Sequence, residues 1–430
     1  MNITVVGLGK IGLPLAVQFA RKGNNVFGAD INKKTVEKVN LGIEPFPGEA
    51  KLQEYLFEAI NNKKLTATTE TTAAVSNSDV VVVVVPLFVD DNGVPDFGWM
   101  DSATEEIGKG LKKGTLVSYE TTLPVGTTRN RFANALEKTS RLKAGVDFHL
   151  VFSPERVLTG RVFNDLRKYP KLIGGINEES TKAGILFYES VLDFDDRPDL
   201  EKPNGVWNLG SCEASELAKL AETTYRDVNI ALANQFALFA ENNGIDIYKV
   251  IEASNSQPFS HIHRPGIAVG GHCIPIYPRM YLWNDPSASV VKVARDFNSK
   301  MPQKVVEKLQ ELHGNLENQK VVVLGVSYRG GVKESAFSGV FPTVEALNKL
   351  GAKVFVHDPL YNDQELMNLG FMPYKYGEYA DAIIIQTDHQ EYRELDLNKI
   401  PSVKTIIDGR NVTNPSNFSG MQFHRLGKGK

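Results

Sequence analysis

A chain of 430 residues is longer than one hydrophobic core usually supports, so two or three domains are expected. Its hydrophobic content of 42% and charged content of 23% are typical of a globular protein. A net charge of −3 excludes a global field that would recruit nucleic acid or an acidic membrane surface, and the longest aliphatic run, 80–85, is too short to span a bilayer.

The two cysteines, Cys212 and Cys273, match no metal-binding spacing, so neither a metal site nor a disulfide scaffold is indicated. This cysteine usage favours a reducing compartment. The N-terminus has no basic stretch ahead of an apolar one, as a signal peptide would. We therefore expect a cytoplasmic protein.

The first predicted strand, 2–7, leads into Gly7-Leu-Gly-Lys-Ile-Gly12 and then into a helix over 13–20. In this context Gly7 permits a tight turn, Gly9 admits a pyrophosphate and Gly12 allows close packing of helix on strand. A second strand, 25–30, ends in Asp30, where a carboxylate would accept hydrogen bonds from an adenosine ribose and favour NAD over NADP. The predicted NAD contacts here are Gly7, Gly9, Lys10, Ile11, Gly12 and Asp30.

Strand–helix alternation continues through three further predicted strands, which span 79–86, 115–121 and 149–153. Loops at the carboxyl ends of parallel strands are where ligands bind. Position alone therefore makes Pro86, Thr122 and Glu155 candidates, and Pro86 and Thr122 join the predicted NAD contacts.

Residues 213–242 carry apolar side chains at steps of three and four, without Gly or Pro until Gly244. This pattern predicts a helix long enough to connect domains or to pack on a partner subunit. Lys219 and Thr223 share another face of it with Arg226. A solvated surface lysine is the alternative for Lys219.

The stretch Arg264-Pro-Gly-Ile-Ala-Val-Gly-Gly-His-Cys-Ile-Pro-Ile-Tyr-Pro278, here called the cysteine loop, places Cys273 behind two glycines. Glycines would let a ligand lie against the backbone, and the two prolines are expected to exclude a regular helix immediately after the thiol. Such a cysteine is a candidate nucleophile, with a buried structural thiol as the alternative.

A second strand–turn–helix alternation begins at 319–325, and its helix and strands are predicted at 342–350, 353–357, 382–386 and 405–408. It lacks the glycine triplet, so another phosphate-bearing ligand is expected more than a second dinucleotide. Arg329, Lys333 and Arg410 lie near strand ends and could pair with phosphates. The last residues, 427–430, are expected to be frayed.

The predicted architecture is α/β, with two Rossmann-like doubly wound domains joined by a central helical domain that contains a long connecting helix. The predicted boundaries are 1–205 for the NAD-binding domain, 206–305 for the helical domain and 306–430 for the domain that binds the second ligand.

In this order the motifs resemble the UDP-glucose/GDP-mannose dehydrogenase family of NAD-dependent nucleotide-sugar 6-dehydrogenases. The resemblance rests on Gly7-Leu-Gly-Lys-Ile-Gly-Leu-Pro14, Asp30-Ile-Asn32, Thr122-Leu-Pro-Val-Gly-Thr-Thr128, Ser153-Pro-Glu-Arg-Val-Leu158, Lys219-Leu-Ala-Glu222, Val269-Gly-Gly-His-Cys273 and Gly325-Val-Ser-Tyr-Arg329. The motifs Pro154–Leu158, Arg226–Ala231 and Gly270–Pro275 are most similar to the branch that acts on UDP-N-acetylmannosamine or UDP-N-acetylglucosamine.

The resemblance implies two hydride transfers that convert the sugar C6 alcohol to a carboxylate through a thioester on Cys273. It implies an oxyanion contact from Lys219, a water-activating base in Glu155 and a supporting role for Thr122 and Thr223. The substrate contacts that it implies are Glu155, Arg156, Leu158, Lys219, Gly270, Tyr328 and Arg329, the last two at the UDP moiety. A homodimer or higher homo-oligomer through the long helix is expected.

Three residues depart from the family pattern: Thr223 stands where the family usually has Asn, Tyr277 where it usually has Asp, and Thr159 where many members have a second Glu. These departures bear on hydrolysis or on the oxidation outcome more than on the fold. Two alternatives to the favoured substrate are UDP-glucose and GDP-mannose. Two alternatives to the enzyme class are a two-electron hydroxyacid-type dehydrogenase and a non-enzymatic NAD-sensing scaffold.

Overall fold

The computed structural model describes residues 1–90, 93–418 and 420–429. Two compact units account for the chain: Met1–Ala221 with Arg279–Asn284, and Glu222–Pro278 with Asp285–Lys430. Both are α/β, as predicted, whereas the three domain ranges given above stay a prediction. Among the described residues no helix combines the length and the apolar character needed to cross a membrane.

The first unit is organised around one sheet. Its strands, with a short hairpin formed by β5 and β6, are β1 Asn2–Val6, β2 Asn25–Ala29, β3 Leu65–Thr68, β4 Val80–Val83, β5 Phe88–Val89, β6 Pro95–Asp96, β7 Leu116–Tyr119, β8 His149–Phe152, β9 Lys171–Gly175 and β10 Val206–Asn208. Their order in the sheet is β10-β9-β8-β7-β4-β1-β2-β3. From β3 to β8 the pairing is parallel, in the order of a doubly wound dinucleotide-binding domain.

Strand β9 reverses direction, because it pairs antiparallel to β8 with Phe152 opposite Gly174 and Val151 opposite Gly175. The beginning of β9 therefore lies at the edge of the sheet where the parallel strands end. This edge is the one where a doubly wound domain binds its ligands.

Helices cover this sheet, and the valines of β4 are buried, as the apolar run predicts for a strand with both faces covered. The helices are α1 Gly12–Arg21, α2 Lys33–Asn40, α3 Leu52–Asn61, α4 Thr71–Ser76, α5 Gly98–Gly110, α6 Asn134–Ser140, α7 Val162–Lys168 and α8 Glu178–Val191, with a π-helical turn at Thr128–Ala133.

The long helix predicted at 213–242 is present as α9, Cys212–Asn242. The helices that follow it are α10 Ile247–Ser254, α11 Tyr277–Asn284, α12 Ser289–Ser299 and α13 Met301–His313. The prolines are expected to exclude a regular helix immediately after Cys273, and residues 274–276 indeed form a turn, with α11 beginning only at Tyr277. Pro278 lies in the first turn of α11, where a missing backbone N–H costs no hydrogen bond.

The second alternation also forms as predicted. It contains β11 Lys320–Leu324, α14 Val340–Lys349, β12 Lys353–His357, α15 Asp363–Asn368, β13 Ala382–Ile385, α16 Gln390–Arg393, β14 Thr405–Asp408 and β15 Gln422–Arg425, with 3-10 turns at Leu397–Lys399 and Pro415–Phe418. The strands are parallel, in the order β12-β11-β13-β14-β15.

The predicted fraying of the C-terminal residues is wrong for those that the structure describes. Gly429 donates its backbone N–H to Ile245 O at 2.9 Å, and Lys428 pairs with Asp246 at 3.0 Å. Lys430 lies outside the described residues.

Candidate active site

The turn between β1 and α1 has the geometry that its glycines require. Gly7 has a φ of +94°, and a Cβ there would lie 2.9 Å from Val84 O. A Cβ on Gly12 would lie 1.8 Å from Gly7 O, so neither glycine accommodates a side chain. A Cβ on Gly9 would meet no atom within 4 Å. The turn is therefore open at the position where a pyrophosphate is predicted to approach.

Asp30 follows β2 beside the same turn. Its Oδ2 accepts a hydrogen bond from Leu8 N at 2.8 Å, and its Oδ1 accepts one from Asn32 N at 2.8 Å. Each carboxylate oxygen can accept a further bond, as the ribose hydroxyls would need. The open turn and the fixed carboxylate together fit the adenosine half of NAD. Lys10 is exposed and Ile11 half-buried in this turn.

The loops after β4 and β7 are joined to each other, because Thr121 Oγ1 donates to Val85 O at 2.7 Å. Strands β1, β4 and β7 are neighbours in the sheet, so the exposed Pro86 and the buried Thr122 lie at the edge that carries the glycine turn. The structure thus gathers the predicted NAD residues at one edge of one sheet. Their individual contacts with NAD stay predictions.

The segment that follows Thr122 is anchored to α9 by a buried carboxylate that sequence analysis missed. Glu216 Oε2 accepts from Gly126 N at 2.6 Å, while Oε1 accepts from Thr128 N at 2.8 Å and Thr128 Oγ1 at 2.7 Å. Burial raises the pKa of Glu216 to about 7. The only hint in the sequence is its place in the first turns of the long helix, one turn before Lys219.

Lys219 is 8% exposed, so the solvated surface lysine considered above does not describe it. Thr223, four residues further along α9, is buried as well. Residues at this spacing share a helix face. The two candidate catalytic side chains of α9 therefore occupy one buried strip of that helix.

The loop after β8 carries the predicted substrate residues 155–158. Glu155 Oε1 accepts from the backbone N of Arg156 at 2.7 Å and of Val157 at 3.2 Å. Leu158, 40% exposed, donates its backbone N–H to Asp165 Oδ2 at 3.1 Å. Nearby carboxylates therefore fix the backbone of this loop, while Arg156 is half-buried.

A second carboxylate and a lysine surround Glu155, and sequence analysis missed both. Lys171 Nζ lies 2.9 Å from Glu155 Oε2 and 2.6 Å from Glu120 Oε2, and Tyr188 Oη donates to Glu120 Oε1 at 2.6 Å. Burial raises the pKa of Glu120 to about 7 against the opposing effect of Lys171. Burial would also raise the pKa of Glu155, but Lys171 and the backbone amides more than offset it, so that pKa is lowered.

The two cysteines have different surroundings. Cys212 is buried, and this burial raises the pKa of its thiol. Cys273 is half-buried, in the second unit, and its carbonyl accepts from the backbone N of Ile276 and Tyr277 at 3.2 and 2.9 Å. A hydrogen-bonded turn thus follows Cys273 and leads into α11.

In the second unit the cysteine loop packs against the turn that follows β11. A Cβ on Gly270 would lie 2.7 Å from Tyr328 Cβ, and one on Gly271, whose φ is +90°, would lie 3.2 Å from Tyr328 Cε2. Gly271 N donates to Ala336 O at 3.0 Å. The glycines therefore admit Tyr328 beside the loop, so the structure brings together the predicted residues Gly270 and Tyr328.

Of the cations proposed for phosphates, only Arg329 keeps a buried donor with no hydrogen-bond partner in the described part of the chain, its Nε. Lys333 pairs with Glu365 at 2.6 Å and Arg410 with Asp388 at 3.3 Å. An unmet guanidinium donor fits an anionic ligand. Arg329 is thus the strongest phosphate candidate of the three.

A buried network fixes the start of the cysteine loop. Gly266 N donates to Asn234 Oδ1 at 2.9 Å, and Asn234 Nδ2 donates to Asn298 Oδ1 at 2.9 Å. Asn298 in turn bonds Asp227, which pairs with Arg295 at 2.7 Å. Helices α9 and α12 thereby determine where the loop leaves the helical segment.

The second Rossmann-like domain uses its strand-end aspartate differently. Asp358 follows β12 as Asp30 follows β2, but it is 2% exposed. Its Oδ2 accepts from Val326 N and Ser327 N at 2.7 and 3.1 Å and lies 3.0 Å from His389 Nε2. Hydrogen bonds from the protein itself therefore use the Asp358 carboxylate, which a ribose would otherwise need. For this reason we expect the second domain to bind a ligand other than a dinucleotide.

Comparison with known families agrees that the two Rossmann-like domains bind different ligands. Residues 1–192 match the model of the UDP-glucose/GDP-mannose dehydrogenase family, NAD binding domain. Residues 213–300 match the central domain of that family, and residues 322–415 match its UDP binding domain. The protein is an NAD-dependent nucleotide-sugar dehydrogenase.

Individual relatives extend over the whole chain. The UDP-N-acetyl-D-mannosamine dehydrogenase of Pyrococcus horikoshii is 34% identical over 439 residues, which cover 100% of both chains. The enzyme of the same name from Methanocaldococcus jannaschii is 33% identical, over 100% of this chain and 97% of the relative. A structure of the former superposes with a TM-score of 0.87 at 32% identity over 99% of each chain. A UDP-glucose dehydrogenase structure from Pyrobaculum islandicum gives a TM-score of 0.85 at 25% identity, over 100% of this chain and 98% of that one. The chain belongs to the UDP-glucose/GDP-mannose dehydrogenase family.

Proposed function

We propose that the protein oxidises the C6 alcohol of a UDP-N-acetylhexosamine, with UDP-N-acetylmannosamine favoured, to the uronate with two NAD. The observation that carries this proposal is the packing of the cysteine loop on Tyr328. It joins the segment that holds the nucleophile to the segment that holds Arg329, whose buried Nε has no hydrogen-bond partner among the described residues. The relatives named UDP-N-acetyl-D-mannosamine dehydrogenases support the choice of sugar.

The proposed chemistry assigns each step to residues of the chain. Gly7, Gly9, Gly12 and Asp30 would hold NAD, which would supply the hydride acceptor that each oxidation at C6 needs. The Cys273 thiolate adds to the C6 aldehyde to give a thiohemiacetal, whose oxidation leaves a thioester. Lys219 stabilises the negative charge on the C6 oxygen, and Glu155 takes a proton from the water that cleaves the thioester, which releases the carboxylate and the thiolate.

The departures from the family pattern bear on the last of these steps. Thr223 retains a hydroxyl on the buried strip of α9 with Lys219, so it can donate a hydrogen bond in place of the usual amide. Tyr277 begins α11, and its backbone N–H bonds the carbonyl of Cys273. Thr159 is exposed. We propose that Thr223 supports the oxyanion and that hydrolysis proceeds without the other two groups.

The test is the molar yield of NADH per UDP-N-acetylmannosamine consumed, with UDP-N-acetylglucosamine and UDP-glucose in parallel. Two NADH and one uronate per sugar are expected. One NADH per sugar would refute the four-electron route and favour a two-electron dehydrogenase. Preferred turnover of UDP-glucose would favour the alternative substrate, to which the similarity with the Pyrobaculum enzyme points.

The covalent step has its own test. Cys273→Ala should abolish uronate formation, while NAD binding, measured by calorimetry, stays at the wild-type level because the predicted NAD contacts lie in the first unit. Cys212→Ala is the matched control, since this thiol is buried away from solvent. Uronate formation by Cys273→Ala would refute the thioester.

We also propose a homodimer formed through α9. Tyr225, Leu232, Phe236 and Phe239 follow one another at steps of seven, four and three, so they share a helix face, and each is at least 38% exposed. A stripe of this kind on a helix is typical of a surface that a second copy covers. Light scattering should give the mass of two chains, and Phe239→Glu should give that of one.

A further inference from the structure

We propose that Lys171 and Glu120 are positioning residues that hold the Glu155 carboxylate ionised and aimed for its role as base. The role of Glu155 as base rests on the proposed function. Its ionisation and orientation are inferred from the geometry of three buried side chains. Lys171 Nζ bridges the two carboxylates at 2.6 and 2.9 Å. Exposure of the three side chains is 5% for Lys171, 0% for Glu120 and 10% for Glu155.

The direction of β9 makes this bridge possible. A lysine that starts a parallel strand would lie at the opposite edge of the sheet from the ligand loops. Because β9 runs antiparallel to β8, Lys171 lies where β7 and β8 end, beside Glu120 and Glu155. Its backbone N–H bonds Gly205 O at 2.9 Å, so the strand ladder fixes the origin of the side chain.

Charge balance decides which carboxylate is ionised. Two carboxylates around one ammonium would leave a net negative charge in a buried cluster, which is costly. Glu155 accepts two backbone N–H bonds besides the ammonium, whereas Glu120 accepts only Lys171 and Tyr188 among the hydrogen bonds described. Glu120 is therefore the carboxyl that holds a proton near neutral pH, and the pKa values of the two groups differ in that direction.

The ionisable groups around the cluster come from several elements. The groups that face the cluster are Glu120 after β7, Glu155 and Arg156 after β8, Lys171 on β9 and Tyr188 on α8, with Asp165 and Tyr169 lining the same small cavity. Arg156 donates to Pro170 O at 3.3 Å, and Asp165 pairs with Arg161 at 2.8 Å. Within the described contacts, Lys171 is the cation that touches the Glu155 carboxylate.

The decisive experiment is the pH dependence of uronate formation in single turnovers by Lys171→Met. Loss of an opposite charge in contact should move the acid limb, which reports Glu155, upward by about 1 to 3 pH units. An infrared titration of the carboxyl C=O band, assigned through Glu155→Gln, should move by the same amount without any turnover. An acid limb and a C=O titration that both stay at the wild-type position would overturn the proposal.

Glu120→Gln is the matched variant. Its amide imitates the protonated Glu120 that the wild type already has at acid pH, so the acid limb should stay in place. The inflection near pH 7 that ionisation of Glu120 adds to the wild-type pH profile should vanish. If Lys171→Met does not fold, Lys171→Met/Glu120→Gln removes one of the unpaired carboxyls and should show the same upward shift. Absence of NADH from the wild type with every UDP-sugar would refute the proposed function, whereas the infrared shift would still decide the role of Lys171.

Discussion

Glu216 and Thr128 are joined by two hydrogen bonds to one carboxylate oxygen, from the Thr128 backbone N at 2.8 Å and its Oγ1 at 2.7 Å. The bonds tie the segment after Thr122 to the first turns of α9. Since Lys219 lies one turn further along the helix, the buried carboxylate of Glu216 connects the segment after Thr122 to the part of α9 that carries Lys219. Its removal should therefore affect both stability and activity.

We expect Glu216→Ala to lower the stability of the first unit by about 3 kcal/mol, because it leaves the two buried donors of Thr128 and the half-buried Gly126 N without their acceptor. Glu213→Ala is the control, because this half-buried glutamate pairs with Arg129 at 2.5 Å. Such pairs contribute about 1 kcal/mol or less. Thermal unfolding midpoints measure the difference. Equal losses in the two variants would contradict the anchoring role.

The glycine turn predicts opposite outcomes for two alanine substitutions. Gly9→Ala adds a Cβ with no atom of the described residues within 4 Å, so the unfolding midpoint should stay unchanged. The KM for NAD should rise about tenfold or more, the equivalent of roughly 1.4 kcal/mol of binding, because the methyl group occupies the approach of the pyrophosphate. Gly12→Ala should instead lower the midpoint, since its Cβ overlaps Gly7 O. Wild-type KM in Gly9→Ala would place the cofactor elsewhere.

Asn234 should control the mobility of the cysteine loop. Asn234→Ala removes the acceptor of Gly266 N and a bond to Asn298, at a cost of about 2 kcal/mol. We expect faster alkylation of Cys273 by iodoacetamide, followed by mass spectrometry. Asn243→Ala, which removes an exposed bond to Phe239 O, is the control and should leave the rate unchanged. Identical rates in the two variants would argue against this coupling.

The titration of Glu120 should be visible in stability. The folded protein holds this proton to about pH 7, whereas the unfolded carboxyl loses it near pH 4.5. Glu120 therefore lowers wild-type stability as pH rises through that window, by up to about 3 kcal/mol at roughly 1.4 kcal/mol per pH unit. The unfolding midpoint of Glu120→Gln should exceed that of the wild type by clearly more at pH 7.5 than at pH 5. A constant difference would mean that Glu120 is ionised throughout.

Local patterns were sufficient for the fold and for part of the site. Apolar runs identify β1, β4 and β11 because a strand buried on both faces needs no polar residue. Gly7, Gly12 and Asp30 are found because their roles depend on neighbours within one strand–turn–helix unit. Cys273 becomes a candidate because it follows two glycines, and only the resemblance to the family favours a nucleophile over a structural thiol.

The missed residues depend on contacts between distant parts of the chain. Glu120 and Lys171 are 51 positions apart and meet only because β9 reverses direction, which no local pattern indicates. Glu216 resembles any acidic residue in the first turns of a helix. Glu120 falls inside the predicted strand 115–121, and only the observed end of β7 at Tyr119 places it among the strand-end loops.

The chain end that packs on Ile245 and Asp246 has a mechanical consequence. The second sheet is connected to the helices at its start through α13, and the segment after β15 returns to the connection between α9 and α10. The covalent link through α13 and the contacts of Lys428 and Gly429 therefore attach the sheet to the same helical segment at both ends of its sequence. The cysteine loop leaves the same helices and contacts the turns of the same sheet, so Gly270 and Tyr328 meet between two elements that are joined at both ends.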